Sequence, residues 1–417
     1  MKNIVSIVTS LFLIILFLFD NTSTQDKPGP IGVSTDFDSG SLGKWFLEND
    51  THLVCYPYIN YDENGRNGVS IWFFGRLDNV LNREITIQFK GMQEEYELRM
   101  GSSPYGGNTV HMFSYDLENW ERFSNCRFDS LSNIYTIKHI FSRNTVWIAY
   151  MEPYPYTRLK SFIREIEDCP GVKIESIGKS VEGHEIYIIS ISEPDVDVDS
   201  CPVVWIVARQ HPWETAGSWA VEGLIKYLIS DEPDAVFIKK KVTFKIIPVA
   251  NPDGVVKGVT RFNAKGVDLN RHWDRSDSFS TDTKNAPEIA LLKKAMEKWC
   301  AEHRLDLWIN IHNNDMNIIK NPAYISFCPL KKEGETEMFG KYLTEESVFR
   351  GPVRKVSSEG KSTTAVVARE FNTLSMLIEM EVGYIPGLGI WVGKDLHLEY
   401  GKGLARAVGR LFNILKK

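Results

Sequence analysis

Two side chains that bind divalent metals, His211 and Glu214, stand three positions apart in the run Arg209-Gln-His-Pro-Trp-Glu-Thr-Ala216. The run lies where the apolar stretch 203–208 gives way to a helical pattern, so both groups arrive together at the carboxyl end of a strand. Three further apolar stretches end in groups of matching chemistry. Asn251-Pro-Asp-Gly-Val255 follows residues 242–249 and leads on to Asp268-Leu-Asn-Arg271. His312 follows 305–311, and Glu379 and Glu381 close 373–378. Two imidazoles and one carboxylate are a standard zinc set that leaves a fourth position to water, and His211, Glu214 and His312 supply it. Water on such an ion loses its proton near neutral pH. A neighbouring carboxylate can take that proton and later hand it to a leaving amine, which suits Glu379. Guanidinium groups steady an oxyanion or clamp a carboxylate, which suits Arg261 and Arg271. Each piece is common by itself, since His-x-x-Glu arises by chance and Asn-Pro-Asp-Gly is first a turn sequence. Their order, and their repeated occurrence at strand ends, carry the reading of a hydrolytic zinc centre.

The elements that must position these groups alternate. Strand-like runs at 186–191, 203–208, 242–249, 305–311 and 373–378 are interleaved with or followed by helical spacing at 219–229, 288–299 and 404–415. This alternation predicts an α/β domain with a mixed, largely parallel sheet covered by helices on both faces. In open sheets of that class functional groups gather at the carboxyl ends of the strands. Upstream the character differs. Residues 30–150 hold short aromatic-rich runs (69–74, 84–89, 96–99, 145–149) and turn-rich stretches at 62–68 and 102–107. That pattern predicts an antiparallel β-sandwich or jelly roll. Residues 116–120 read as a hairpin turn bearing an exposed Trp120. The prolines of Glu152-Pro-Tyr-Pro-Tyr-Thr157 mark the change, and helical spacing follows over 159–166. The expected organisation is a leader over 1–24, a β-sandwich domain over 27–151 and the α/β domain over 155–417.

Bulk properties fit two globular domains: 417 residues, 43% of them hydrophobic and 24% charged. A net charge of −6 argues against the basic face that nucleic-acid binding needs. Lys2, the apolar run 4–19 and the polar segment 21–25 read as a secretory leader. It is expected to be cleaved rather than kept as an anchor, because no stop-transfer charges follow. The expected protein is therefore exported, secreted or periplasmic, with no stable membrane insertion once the leader is gone. Its six cysteines stand singly, which permits disulfides without revealing their pairing and disfavours a thiolate zinc site.

The stretch from about 155 to 417 resembles the zinc metallocarboxypeptidase family, and within it the cytosolic-carboxypeptidase-like branch. His211-Pro-Trp-Glu-Thr-Ala-Gly-Ser-Trp219 is similar to that branch's His-Pro-Gly-Glu-Thr-x-Ser-Ser motif. Asn251-Pro-Asp-Gly-Val255 matches its Asn-Pro-Asp-Gly-Val, and Arg261…Gly266-Val-Asp-Leu-Asn-Arg271 continues as Arg…Gly-x-Asp-Leu-Asn-Arg. Ile311-His312 fills the place of the third ligand, and the β-rich region resembles the branch's amino-terminal β-sandwich by position. The resemblance implies one Zn²⁺ per chain on His211, Glu214 and His312. It implies Arg261 polarising the scissile carbonyl, Asn270 with Arg271 gripping the substrate's terminal carboxylate, and Glu379 as general base and acid. Peptide or protein C-termini would be the substrate. Two other readings keep the same residues: a zinc deacylase of N-acyl amino acids, whose substrates also carry a free carboxylate, and a catalytically inactive binding homologue.

The chain departs from the family pattern at three places. Asn310-Ile-His-Asn-Asn314 replaces the frequent Asp-x-His-Gly-His, altering what backs His312. Trp213 stands where glycine is common, which would put bulk near the metal. No tyrosine lies between Tyr342 and Tyr384 to match the one that caps substrate in other relatives. The base has two candidates, because Glu379 and Glu381 alternate onto one side of a strand; the surrounding motif favours Glu379, while Glu381-Val-Gly resembles another branch. Elsewhere, Trp45, Tyr56, Tyr58, Tyr61 and Trp120 are expected in core and interdomain packing rather than in a sugar-stacking platform. Lys331, Lys332, Arg350, Arg354 and Lys355 read as ordinary surface charge, with a preference for acidic C-terminal side chains as the alternative.

Overall fold

The computed structural model describes residues 29–92, 109–193, 196–271, 273–274, 284–314, 316, 323–328, 333–357 and 359–415. The leader, the runs at 96–99 and 102–107, and Lys331 and Lys332 lie outside the described residues. The amino-terminal part is built of strands: β1 Gly32–Ser34, β2 Lys44–Asn49, β3 His52–Tyr56, β4 Asn60–Tyr61, β5 Gly68–Val69 and β6 Phe74–Asp78. There follow β7 Glu84–Lys90, β8 Met112–Ser114, β9 Trp120–Arg122, β10 Cys126–Asp129, β11 Ile134–Ile140 and β12 Thr145–Ala149. They form two five-stranded sheets, β1-β6-β12-β8-β9 and β10-β11-β7-β3-β2, with β4 and β5 as a separate hairpin. Along β7, Ile85, Ile87 and Phe89 are buried while Glu84, Thr86 and Gln88 turn outward. That period of two is what a sheet packed on one face requires, and the expected sandwich is present.

Two expectations for this part need correction. The apolar run 69–74 is not one strand, because β5 ends at Val69 and β6 begins at Phe74. The residues between stay buried, but the amides of Ile71 and Trp72 donate to the Thr260 hydroxyl, at 3.1 and 3.3 Å, rather than to a neighbouring strand. Burial sets the hydrophobic pattern; the pattern does not say where the backbone finds its partners. Trp45, Tyr56, Tyr58 and Tyr61 are exposed rather than packed, and Trp120 is half-buried. β2 is the outer strand of its sheet, and the three tyrosines line a surface cavity of about 800 Å³ together with Lys44 and Lys257.

After the prolines, α1 (Tyr156–Ile166) buries Leu159, Phe162, Ile163 and Ile166, a single apolar stripe. The remaining elements are β13 Val172–Lys179, β14 Glu185–Ile191, β15 Val203–Ala208, α2 Thr215–Leu228, α3 Pro233–Lys239, β16 Thr243–Ile247 and α4 Pro252–Lys257. Then come α5 Pro287–Cys300, β17 Leu307–Asn313, β18 Tyr324–Cys328, α6 Glu333–Glu346, β19 Val353–Lys355 and α7 Thr363–Phe371. β20 Leu374–Met380, β21 Gly383–Ile385, β22 Ile390–Val392 and α8 Lys394–Leu411 complete the chain. Eight strands make one mixed sheet, β13-β14-β16-β15-β17-β20-β18-β19. Its centre, β16 to β20, is parallel, and β15 is buried at every residue, as a strand covered on both faces must be. One continuous apolar cluster runs from Ile31 and Leu53 in the sandwich through Tyr150 and Phe162 to Ile206, Leu224 and Leu404. Among the described residues no helix is long and apolar enough to cross a membrane. All six cysteines are free thiols.

Candidate active site

Parallel strands point their carboxyl ends the same way, and the site is assembled there. β15 stops at Ala208, and the chain turns through Arg209 with φ of +58°, a left-handed conformation rare for a side chain this large. Arg209 holds the turn with its own buried guanidinium, which donates to the Tyr154 carbonyl at 3.2 Å, the Ser218 hydroxyl at 3.3 Å and the Pro212 carbonyl. His211 follows, and Glu214 sits immediately before the first residue of α2. His312 comes from the neighbouring strand β17, one residue past the Ala208–Ile311 pair. The three side chains are buried. His211 Nδ1 and His312 Nδ1 lie 2.7 and 2.8 Å from the two oxygens of Glu214. All ligand atoms fall within 4.8 Å of one another.

Burial alone would push the Glu214 carboxyl up, but His312 and His211 outweigh it and hold the group well below its ordinary range. A carboxylate kept ionised in a buried pocket between two imidazole nitrogens has the charge and donor set of a His₂Glu zinc site. The residues present therefore fit one zinc ion. Their orientation is enforced from behind. His211 Nε2 lies 3.1 Å from Asp268 Oδ1, while Asp268 Oδ2 accepts from Arg261 Nε at 2.9 Å and Nη2 at 2.7 Å. Burial opposes ionisation of Asp268, yet Arg261 and then His211 keep it far below the usual carboxylate value. A carboxylate on Nε2 fixes the ring and leaves Nδ1 facing the metal position.

His312 is backed by neutral amides instead. Asn270 Nδ2 lies 3.3 Å from His312 Nε2, and Asn270 Oδ1 accepts from the Thr363 amide at 3.2 Å and from Asn310 Nδ2 at 3.4 Å. Asn310 Nδ2 also donates to Gln210 Oε1 at 2.8 Å, and Gln210 Nε2 donates to the Leu269 carbonyl at 2.7 Å and the Thr363 hydroxyl at 3.1 Å. Asn310 thus takes part in an uncharged network behind His312. Sequence reasoning did not assign Gln210, Asp268 or Thr363 to the site. Asp268 had a signal, its position inside the quoted Asp-Leu-Asn-Arg motif; Gln210 and Thr363 had none beyond adjacency to His211 and a helix start.

The two candidate bases meet different surroundings. β17 and β20 run parallel with His312 opposite Glu379, and Tyr324 of antiparallel β18 stands opposite Glu379 on the other side. Directly opposed residues share a face, so Glu379 is flanked by His312 and Tyr324. Glu381 lies beyond the end of β20, where strand alternation no longer applies. Its Oε1 accepts the Arg350 amide at 2.7 Å, its own carbonyl lies 3.1 Å from His397 Nε2, and burial pushes its carboxyl up to about 7. Tyr324 lies upstream of the tyrosine-free stretch between Tyr342 and Tyr384. Burial and the Glu379 carboxylate raise its phenol, and its register opposite Glu379 places it beside the candidate base. The Arg354 guanidinium lies 4.7 Å over its ring. Arg271 is half-buried and donates from Nη1 to the Asn270 carbonyl at 3.1 Å. Trp213, directly before Glu214, packs toward the sandwich. Its ring is buried edge-on to Tyr150 at 5.8 Å, and its amide donates to the Thr260 carbonyl at 3.3 Å, so its bulk fills the domain interface.

Comparison with known proteins gives a consistent picture. The family profile described as zinc carboxypeptidase matches residues 159–366, and that described as cytosolic carboxypeptidase N-terminal domain matches residues 33–151. Cytosolic carboxypeptidase 2 of Danio rerio is 27% identical over 288 residues, 63% of this chain and 38% of that protein. Cytosolic carboxypeptidase 6 of Mus musculus is 27% identical over 308 residues, 70% of this chain and 54% of its own length. The chain thus spans about two fifths to about half of these two relatives. A crystal structure of a metallo-carboxypeptidase from Burkholderia cenocepacia superposes with a TM-score of 0.78 at 23% identity, covering 92% of this chain and 99% of that one. That likeness establishes the fold.

Proposed function

We propose that this chain, which belongs to the zinc carboxypeptidase family, releases residues one at a time from the C-termini of peptides or proteins. The observation that carries the reading is the convergence of His211, Glu214 and His312 on one buried point, with Glu379 beside His312 in register. When bound, zinc polarises the scissile carbonyl and lowers the pKa of water. Everything else falls to the chain. Asp268 orients His211, and the Gln210–Asn310–Asn270 network steadies His312. Glu379 accepts the proton of the attacking water and returns it to the leaving amine. Arg271, half-buried near Tyr324, attracts the substrate's terminal carboxylate. Asn270, whose amide already serves His312 and Thr363, joins it. Arg261 supports the developing oxyanion. Arg354 over Tyr324, with Arg271 nearby, favours an acidic residue at the substrate's C-terminus.

The test is release of free amino acids from a peptide library, with acyl-amino-acid hydrolysis run alongside. Wild type should release C-terminal residues, and chelator should stop it. Glu379→Gln should lose at least about a hundredfold in kcat while keeping its zinc, whereas Glu381→Gln should stay within a few fold. Full turnover by Glu379→Gln would remove the assigned base, and hydrolysis of acyl amino acids alone would favour the deacylase. Export is proposed on the charged and then apolar leader; a mature protein still beginning at Met1 would count against it.

A further inference from the structure

We infer that Asn60, in the amino-terminal sandwich, is a positioning residue for Arg261 across the domain interface; this rests on the carboxypeptidase reading above. Asn60 belongs to the short hairpin β4–β5 and is buried. Its side-chain oxygen accepts two successive amides of the other domain, Arg261 N–H at 2.9 Å and Phe262 N–H at 2.6 Å. Residues 259–266 form neither helix nor strand, so their amides have no ladder of their own. Buried amides must be paired, and at Arg261 and Phe262 the sandwich supplies the partner, whereas Val259, Asn263, Lys265 and Gly266 find theirs within the α/β part.

The grip extends along the same segment. The Thr260 hydroxyl accepts the amides of Ile71 and Trp72, and the Glu63 amide donates to the Gly266 carbonyl at 2.9 Å. Gly266, at φ +79°, lets the two backbones meet, since a Cβ there would stand 2.6 Å from the Glu63 nitrogen. Of these contacts only Asn60 bonds the backbone of Arg261 itself. The Arg261 guanidinium in turn reaches Asp268 with two nitrogens, and Asp268 reaches His211. A side chain that must serve Asp268 and a developing charge tolerates little displacement of its own backbone: about 1 Å of misplacement can cost on the order of a hundredfold in rate. On this account the amino-terminal domain completes the active site instead of merely adjoining it.

The experiment compares Asn60→Ala, which removes the acceptor, with Asn60→Asp, which keeps an oxygen in the same place. Asn60→Ser, whose shorter hydroxyl reaches at most one of the amides, is the milder variant should Asn60→Ala fold poorly. Hydrogen exchange on the zinc-free proteins reads the contact without reference to activity. The amides of Arg261 and Phe262 should exchange at least about tenfold faster in Asn60→Ala and near the wild-type rate in Asn60→Asp. In the kinetics, Asn60→Ala should lower kcat on the order of tenfold to a hundredfold with KM nearly unchanged, and Asn60→Asp should restore it. Added to Arg261→Ala, it should cost less than about twofold more, because both act through one guanidinium. Unchanged amide protection in Asn60→Ala and Asn60→Ser, or losses that multiply in the double variant, would overturn the inference. Should the wild type release no amino acids at all, the carboxypeptidase reading fails, and the exchange result still judges the contact.

Discussion

Glu379 and Glu381 have the same chemistry, and sequence spacing gives both the same side of a strand, yet the protein treats them differently. Glu379 stands in the ladder between His312 and Tyr324, whereas Glu381 lies past the strand end with its carboxyl against the Arg350 amide. Only the point at which β20 stops separates them, and a motif does not print that point. The site residues that were legible are those whose types are rare and whose spacing is fixed: His211, Glu214, His312. Those that were not, Gln210 and Thr363, are ordinary polar residues recruited by the packing of three strand ends. Burial of Glu381 has a measurable cost. Burial pushes its carboxyl up to about 7 from the ordinary 4.5, so the folded state holds this proton more tightly. The associated stability is fully present below about pH 4.5 and is lost as pH rises through 7. Glu381→Gln should therefore gain on wild type with rising pH, by up to about 3 kcal/mol at pH 8. Glu288, also pushed up to about 7 by burial, leaves a residual slope in the variant. Denaturant titrations of both proteins from pH 4 to 8 measure this, and parallel profiles would mean that Glu381 is not a strained buried acid.

At the scale of elements, apolar runs located the central strands within a residue or two because those strands are buried on both faces. β13, whose residues are half-buried or exposed throughout, and the short β19 carry no such run, and the sequence reading also lacks β18, which is buried but short and broken by Ser326. Asn251-Pro-Asp-Gly, taken alone a turn sequence, is the start of α4, with the Asn251 side chain accepting the Gly254 amide at 3.1 Å. The two uses look alike in sequence because an N-cap is a turn that continues. The run 69–74 has the apolar pattern of a strand but is not one, because its amides find their partner in the other domain. The packing of α2 on α8 depends on glycine at the crossing. A Cβ on Gly401 would stand 1.8 Å from the Ala220 carbonyl oxygen, and one on Gly223 would stand 2.0 Å from the Leu398 oxygen. In an exposed helix Gly→Ala would stabilise by about 1 kcal/mol. Here backbone opposes backbone and neither can yield locally, so Gly401→Ala should destabilise by about 3 kcal/mol or more, read as a fall in the urea midpoint. A neutral or stabilising result would show that the two helices are not in that contact.

For the whole molecule, the two-domain pattern in the sequence is real as architecture but not as independence. One apolar cluster spans both parts, and hydrogen bonds such as that from the Arg261 amide to Asn60 join residues 201 positions apart. No local pattern announces a contact of that separation, which is why the interface is not legible in the sequence. A shared core predicts a single cooperative thermal transition, with probes in the sandwich and in the α/β part melting together. Two resolved transitions would contradict it. The central claim, however, is that His211, Glu214 and His312 hold one zinc ion. It is tested most directly by zinc per chain, measured by mass spectrometry on purified wild type and His312→Ala after dialysis against trace chelator. The account predicts a stoichiometry near one for wild type and below about one tenth for the variant. Wild type that retains no zinc, or a variant that retains all of it, would contradict the account.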